Sequence, residues 1–144
     1  MLVQCCSALA GDPPSGFIDL VELQAAKAQA LKEGKLIAIA VKGYDDKCPR
    51  CAAALKNGTR AIKFDCVMVF SRVSKLKTYK DLPSALKSAT QNPTDGAWVG
   101  FYVFDPAVEK LIAQAGRDEL ESDRTKIKAF RDAVDTARKD LTGK

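Results

Sequence analysis

A chain of 144 residues with 47% hydrophobic content is long enough to bury one core and too short to expect two. Histidine is absent. This excludes Ser/His/Asp and Cys/His nucleophilic catalysis, removes the commonest zinc ligand, and leaves any chemistry to thiols, carboxylates, amines or hydroxyls. The net charge of +5 is uneven: Lys42 to Lys87 holds eleven Lys or Arg residues against only Asp45, Asp46, Asp65 and Asp81. Few aromatics are interleaved there, so the pattern reads as a solvated basic face and no nucleic-acid partner is expected.

The amino terminus is apolar and ends in Ala8-Leu9-Ala10 before Gly11, which fits the small-x-small rule for signal-peptide cleavage although a positive leading segment is missing. Residues 1–10 are read as a truncated signal-peptide remnant and residues 11–144 as one domain. That reading expects a periplasmic or secreted protein, or a cytoplasmic one if the segment is not a signal. No stretch reaches the roughly 20 apolar residues that span a bilayer, so no membrane span is expected.

From Ser15 to Glu33, Phe17, Leu20, Val21, Ala25, Ala28 and Leu31 recur at mostly three- and four-residue spacing, which predicts an amphipathic helix stopped by Gly34. Lys35 to Val41 is apolar on both faces and too short for a helix between Gly34 and Gly43, and it predicts a buried central strand. The loop Gly43-Tyr44-Asp45-Asp46-Lys47 then leads to Cys48, and Pro49 to Lys56 reads as a helix ended by Asn57-Gly58. Phe64 to Val73 is rich in β-branched and aromatic residues and reads as a second buried strand. Asp81 to Ala89 predicts a short helix with Pro83 in its first turn. Asn92 to Gly96 is a turn cluster. Trp98 to Phe104 and Lys110 to Gln114 predict two strands whose short connection makes them an antiparallel hairpin. A closing helix spans Ser122 to Leu141, with Ile127, Phe130, Val134, Ala137 and Leu141 on one face.

The residues that carry chemistry are Cys48-Pro49-Arg50-Cys51. Two cysteines three apart at the start of a helix share a face, near enough for a disulfide or a thiol pair. Cys48 at the helix amino end meets free N–H groups and the macrodipole, which favour a thiolate and make it the nucleophile. Cys51, one turn inside, acts second by attacking the mixed disulfide. Pro49 suits the first turn, while Arg50 and Lys47 add positive charge that Asp45 and Asp46 oppose.

The order of strand, short loop, CxxC helix, strand, helix, hairpin and helix over Phe17 to Leu141 resembles the thioredoxin-like superfamily. The stretch Phe101-Tyr102-Val103-Phe104-Asp105-Pro106 with Lys110-Leu111-Ile112 is similar to the hairpin of its exported bacterial members. The resemblance implies a three-layer α/β/α sandwich around a mixed sheet of about four strands. It also implies thiol-disulfide exchange at Cys48 and Cys51, with no metal or organic cofactor, acting as a monomer on protein thiols or disulfides together with a redox partner protein. Where the family has an aromatic residue before the first cysteine, this chain has Lys47; where it often buries an acid, Lys42 stands. The family's substrate-docking cis-proline falls by residue count on Val99, beside Trp98, with Pro93 the nearest proline.

Two alternatives accompany this reading. One is a non-catalytic binding module of the same fold with a structural Cys48–Cys51 disulfide. The other is a zinc site drawing thiolates from Cys5, Cys6, Cys48 and Cys51. Cys66, inside an apolar strand, is expected to pack as a small hydrophobe. Trp98 is expected to be a packing anchor more than a binding platform.

Overall fold

The computed structural model describes residues 13–90 and 96–143. The proposed signal remnant, Cys5, Cys6 and Pro93 lie outside them. In chain order the elements are β1 (Ile18–Asp19), a 3-10 turn (Leu20–Glu22), α1 (Leu23–Glu33), β2 (Leu36–Lys42), α2 (Pro49–Ile62), β3 (Cys66–Arg72), α3 (Val73–Thr78), α4 (Ser84–Ala89), β4 (Val99–Phe104), β5 (Leu111–Gly116), α5 (Arg117–Leu120) and α6 (Arg124–Thr142). The chain is an α/β protein with one mixed sheet of order β1-β3-β2-β4-β5. β1 and β2 run parallel to β3, whereas β4 runs antiparallel to both β2 and β5.

β2 is central because all seven of its residues are buried, and a strand apolar on both faces needs cover on both. Its alternation divides the core. Ile37, Ile39 and Val41 join Val67, Val69, Tyr102 and Phe104 on one face, packed by Leu23, Ala26 and Ala30 of α1 and by Leu76 and Leu86 of α3 and α4. Leu36, Ala38 and Ala40 join Cys66, Met68, Phe70, Phe101 and Val103 on the other, packed by Cys51, Ala54 and Ile62 of α2, Leu120 of α5, and Phe130 and Val134 of α6. No helix among the described residues is long and apolar enough to cross a membrane.

Several elements depart from the sequence expectation. The sheet has five strands where about four were expected, because Ile18–Asp19 pairs with Val69 and Phe70 instead of opening a helix. The apolar residues there follow strand alternation: Phe17 meets the Phe70 ring edge to face at 6.0 Å, while Ile18 packs against the opposite face of the sheet. The Asp19 carboxylate then accepts from the Val21 N–H at 3.0 Å, turning the chain toward α1. Val73 opens α3 instead of ending the strand, and the short α5 was not foreseen.

The helix carrying the cysteines does not stop at Asn57-Gly58 but runs on to Ile62. Gly58 sits there for contact and not for termination: a Cβ on it would fall 2.5 Å from Cε1 of Phe101. Gly58→Ala should therefore destabilise the fold by about 1–3 kcal/mol through overpacking, outweighing a helix-propensity gain of about 1 kcal/mol. Urea denaturation checks this: the midpoint should fall, and a raised midpoint would show that the Phe101 ring yields freely.

Candidate active site

β2 ends at Lys42, and six residues later the chain enters α2 with Cys48 at the capping position and Pro49 in the first turn. A helix start leaves backbone N–H groups without partners inside the helix. Here the Cys48 Sγ supplies one acceptor, taking the Cys51 N–H at 3.1 Å. Cys48 is half-buried and Cys51 is buried, and both are free thiols in this structure.

The two sulfurs have opposite acidities. Cys48 is held below the ordinary thiol value, first by the Cys51 thiol donating to it and further by the backbone N–H groups of Cys51 and Arg50 and the charge of Arg117, which together outweigh a desolvation penalty second in size only to the Cys51 bond. Cys51 is pushed up, first by burial and then by its role as donor to Cys48, with Arg117 drawing it partly back. The arrangement makes Cys48 the readier thiolate and Cys51 the held thiol.

Polar contacts on both sides fix this corner. Lys42 Nζ donates to Asp46 Oδ1 at 2.7 Å and to the Asp45 carbonyl at 3.2 Å. Arg72 binds the same Asp46 carboxylate and donates to the Gly43 carbonyl at 2.8 Å, so the loop is tied to the ends of β2 and β3. The Gly43 N–H donates to the Trp98 carbonyl at 2.9 Å and the Asp45 N–H to the Gly96 carbonyl at 3.2 Å, and a Cβ on Gly43 would collide with the Gly96 backbone. On the far side, Arg50 Nε donates to Glu121 Oε1 at 2.7 Å and its Nη2 reaches Asp118 at 3.1 Å. Asn57 Nδ2 meanwhile donates to the Leu120 and Glu121 carbonyls at the end of α5.

The sequence-selected residues are placed unevenly. Cys48, Pro49, Arg50 and Cys51 share the first turn of α2, and Val99 is fully buried in the large apolar cluster that includes Cys51 and against which Cys48 packs. The Trp98 ring packs instead on the opposite face of the sheet, beside Gly100 and Tyr102, so it is a packing anchor and is not brought to the thiols. Lys47 is exposed and reaches its neighbours through its backbone N–H, which donates to Asp45 Oδ1 at 2.9 Å. Lys42 is committed to the loop. No cis peptide occurs among the described residues. Cys66 is buried in β3, and its thiol is pushed far above the ordinary range by desolvation.

The residue that sequence reasoning missed is Arg117, the first of α5. Its guanidinium donates to the Ala97 carbonyl at 2.8 Å and acts on both cysteines. Nothing in the local sequence marks it, since it joins the site through the turn after the hairpin, 66 positions from Cys51. Among the described residues no group of three or more thiol or carboxylate groups gathers to hold a metal ion. No protein-family model, curated protein or solved structure matches this chain.

Two expectations follow from these contacts. Followed by ultraviolet absorbance against pH, the Cys48 thiolate should titrate at higher pH in Cys51→Ala, which removes the largest stabilising donor, and by a smaller step in Arg117→Gln; an unmoved titration in both would remove these groups as causes. Asp46 is lowered from 3.8 to about 2, first by its hydrogen bond from Arg72 and then by that from Lys42. Because the unfolded chain takes up that proton at a higher pH than the folded one, the contribution of Asp46 is complete above about pH 4 and lost as the pH falls through about 2. Asp46→Asn should flatten the loss of stability across that acid window, measured by thermal unfolding at a series of pH values.

Proposed function

We propose that this chain is a thioredoxin-like thiol-disulfide oxidoreductase in which Cys48 attacks and Cys51 resolves. The observation that carries the reading is the Cys48 sulfur capping α2 while accepting from Cys51, which prepares one thiolate and one thiol on adjacent turns. The strand order, with a CxxC helix following the central strand and an antiparallel hairpin closing the sheet, supports the same family assignment.

In the proposed reaction the Cys48 thiolate forms a bond to one sulfur of a client disulfide. The client S–S bond breaks, and its electron pair leaves on the second client sulfur, which takes up a proton. Cys51 then gives up its proton and attacks Cys48 Sγ. A Cys48–Cys51 disulfide forms, the mixed disulfide breaks, and the first client sulfur departs as a thiolate. The client gains two electrons and the protein loses two; the reverse sequence oxidises a client dithiol. A redox partner protein, or dithiothreitol in the test tube, resets the pair. Clients are protein disulfides that reach the half-buried Cys48 sulfur, with the charge on Arg117 stabilising the sulfur anions.

The test is reduction of insulin by dithiothreitol, catalysed by the wild-type chain and by Cys48→Ser. The wild type should accelerate insulin precipitation and the variant should not, while Cys51→Ser should accumulate a mixed disulfide on Cys48 visible by mass spectrometry. Equal rates for wild type and Cys48→Ser, with no trapped adduct, would replace this reading with that of a non-catalytic binding module.

A further inference from the structure

The chain has seven arginines, and its own carboxylates engage four of them at 3.4 Å or closer. Arg50 binds Glu121 and Asp118, Arg72 binds Asp46, Arg117 reaches Asp118, and Arg138 meets Asp65 at 3.2 Å. The other three are Arg60, Arg124 and Arg131. Arg60 and Arg124 have no carboxylate within ion-pairing distance among the described residues. Arg131 comes no nearer than 4.0 Å to its neighbour Asp132, which Lys128 holds at 2.6 Å.

All three line the same cavity, about 320 Å³ in volume, in the groove between α2 and α6. The helical period brings them there: Asn57, Arg60 and Ala61 form one stripe of α2, and Arg124, Ile127 and Arg131 one stripe of α6. Ala61 and Ile127 give the groove an apolar component, Asn57 and Ser122 add polar groups, and no acidic side chain lines it. The carboxylates flanking Ser122 in the sequence are committed elsewhere, Glu121 to Arg50 and Asp123 to the Lys126 N–H at 3.1 Å. Three like charges converging on a groove that no carboxylate lines repel one another, and an anion in the groove relieves that repulsion. The planar five-donor guanidinium suits phosphate oxygens, which it binds through paired hydrogen bonds. The volume falls in the range of about 300 to 1,000 Å³ of small-molecule sites.

We propose that the α2–α6 groove binds a phosphate-bearing ligand held by Arg60, Arg124 and Arg131. The site is separate from the two cysteines and does not depend on the redox reading. It takes a phosphate ester or diphosphate group, with any apolar part of the ligand against Ile127 and Ala61.

Inorganic pyrophosphate is the probe, titrated into the full chain by calorimetry and heteronuclear NMR. Binding should saturate at one site, with shifts confined to residues of the groove. It should weaken at least about tenfold in Arg60→Gln/Arg124→Gln, which alters exposed side chains only, while Lys77→Gln/Lys80→Gln, removing the same charge beside a different cavity, keeps the wild-type affinity. Cys48→Ser should bind as the wild type does. Sedimentation with vesicles containing phosphatidic acid, competed by pyrophosphate, would identify a lipid headgroup as the source of the phosphate. Binding of pyrophosphate without sedimentation would identify a free phosphate compound. Equal weakening in both double variants, or shifts spread across the basic middle third, would overturn the site as general charge attraction. An Asp- and Glu-rich peptide binding these residues where pyrophosphate does not would overturn it in favour of an acidic polypeptide.

Discussion

The structure turns on one hydrogen bond, from the Cys51 N–H to the Cys48 sulfur at the first turn of α2. Asp, Ser, Thr or Asn would ordinarily serve as the cap, since an oxygen is the better acceptor. A neutral thiol accepts weakly, whereas a thiolate accepts well, so the demand of the helix end for an acceptor becomes a preference for the ionised sulfur. Helix stability and thiol acidity are thus linked through a single atom. The same position keeps the sulfur half-exposed, because a capping residue lies outside the helical turn that it closes.

Much of the remaining architecture holds that turn in place. The hydrophobic division of the sheet seats α2 on the face formed by Ala38, Ala40, Phe101 and Val103, where small residues on β2 and Gly58 on the helix admit close approach. The loop feeding the helix is then pinned at both sides: Lys42 and Arg72 share Asp46, and Arg50 and Asn57 bind α5. Individually exposed ion pairs contribute little to stability. Their value here is positional, since they connect segments distant in the chain and hold the loop and α2 against the strand ends and α5.

Legibility followed the range of the forces involved. β2, β3, the hairpin and the cysteine-bearing helix were readable because their apolar patterns are dictated by burial on two faces, and Cys48 because a CxxC motif opens a helix in sequence as it does in space. β1 was missed because two residues give no period of their own, and only the free edge of β3 makes them a strand. Gly58 was misread as a stop because its reason for being glycine is the Phe101 ring, 43 positions away in the chain. Arg117 and the convergence of Arg60 with Arg124 and Arg131 were hidden likewise, since surface arginines carry no signal until tertiary packing shows which of them find partners. Trp98 was linked to the cysteines by chain proximity to Val99, yet strand alternation sends neighbouring side chains to opposite faces.

The proposed resolving step places its own demand on the site. Cys51 is almost fully buried and must lose a proton to attack, yet burial holds its acidity down, Cys48 in a mixed disulfide has no lone thiolate to take the proton, and Arg117 is a cation. Lys42, standing where the resembled family often buries an acid, is occupied by Asp46 and the Asp45 carbonyl, and the chain has no histidine. Once Cys48 is tied up in a mixed disulfide it no longer carries the negative charge that accepts from Cys51 and helps keep it protonated. Of the causes that raise Cys51 only burial, the largest, then remains, and the pull of Arg117 toward the thiolate works against burial alone. Under this mechanism the proton passes to water, the client sulfur leaves as a thiolate, and formation of the mixed disulfide itself favours ionisation of the second cysteine. In that proposed mechanism the cation at the start of α5 does by charge what a buried acid would do by proton transfer.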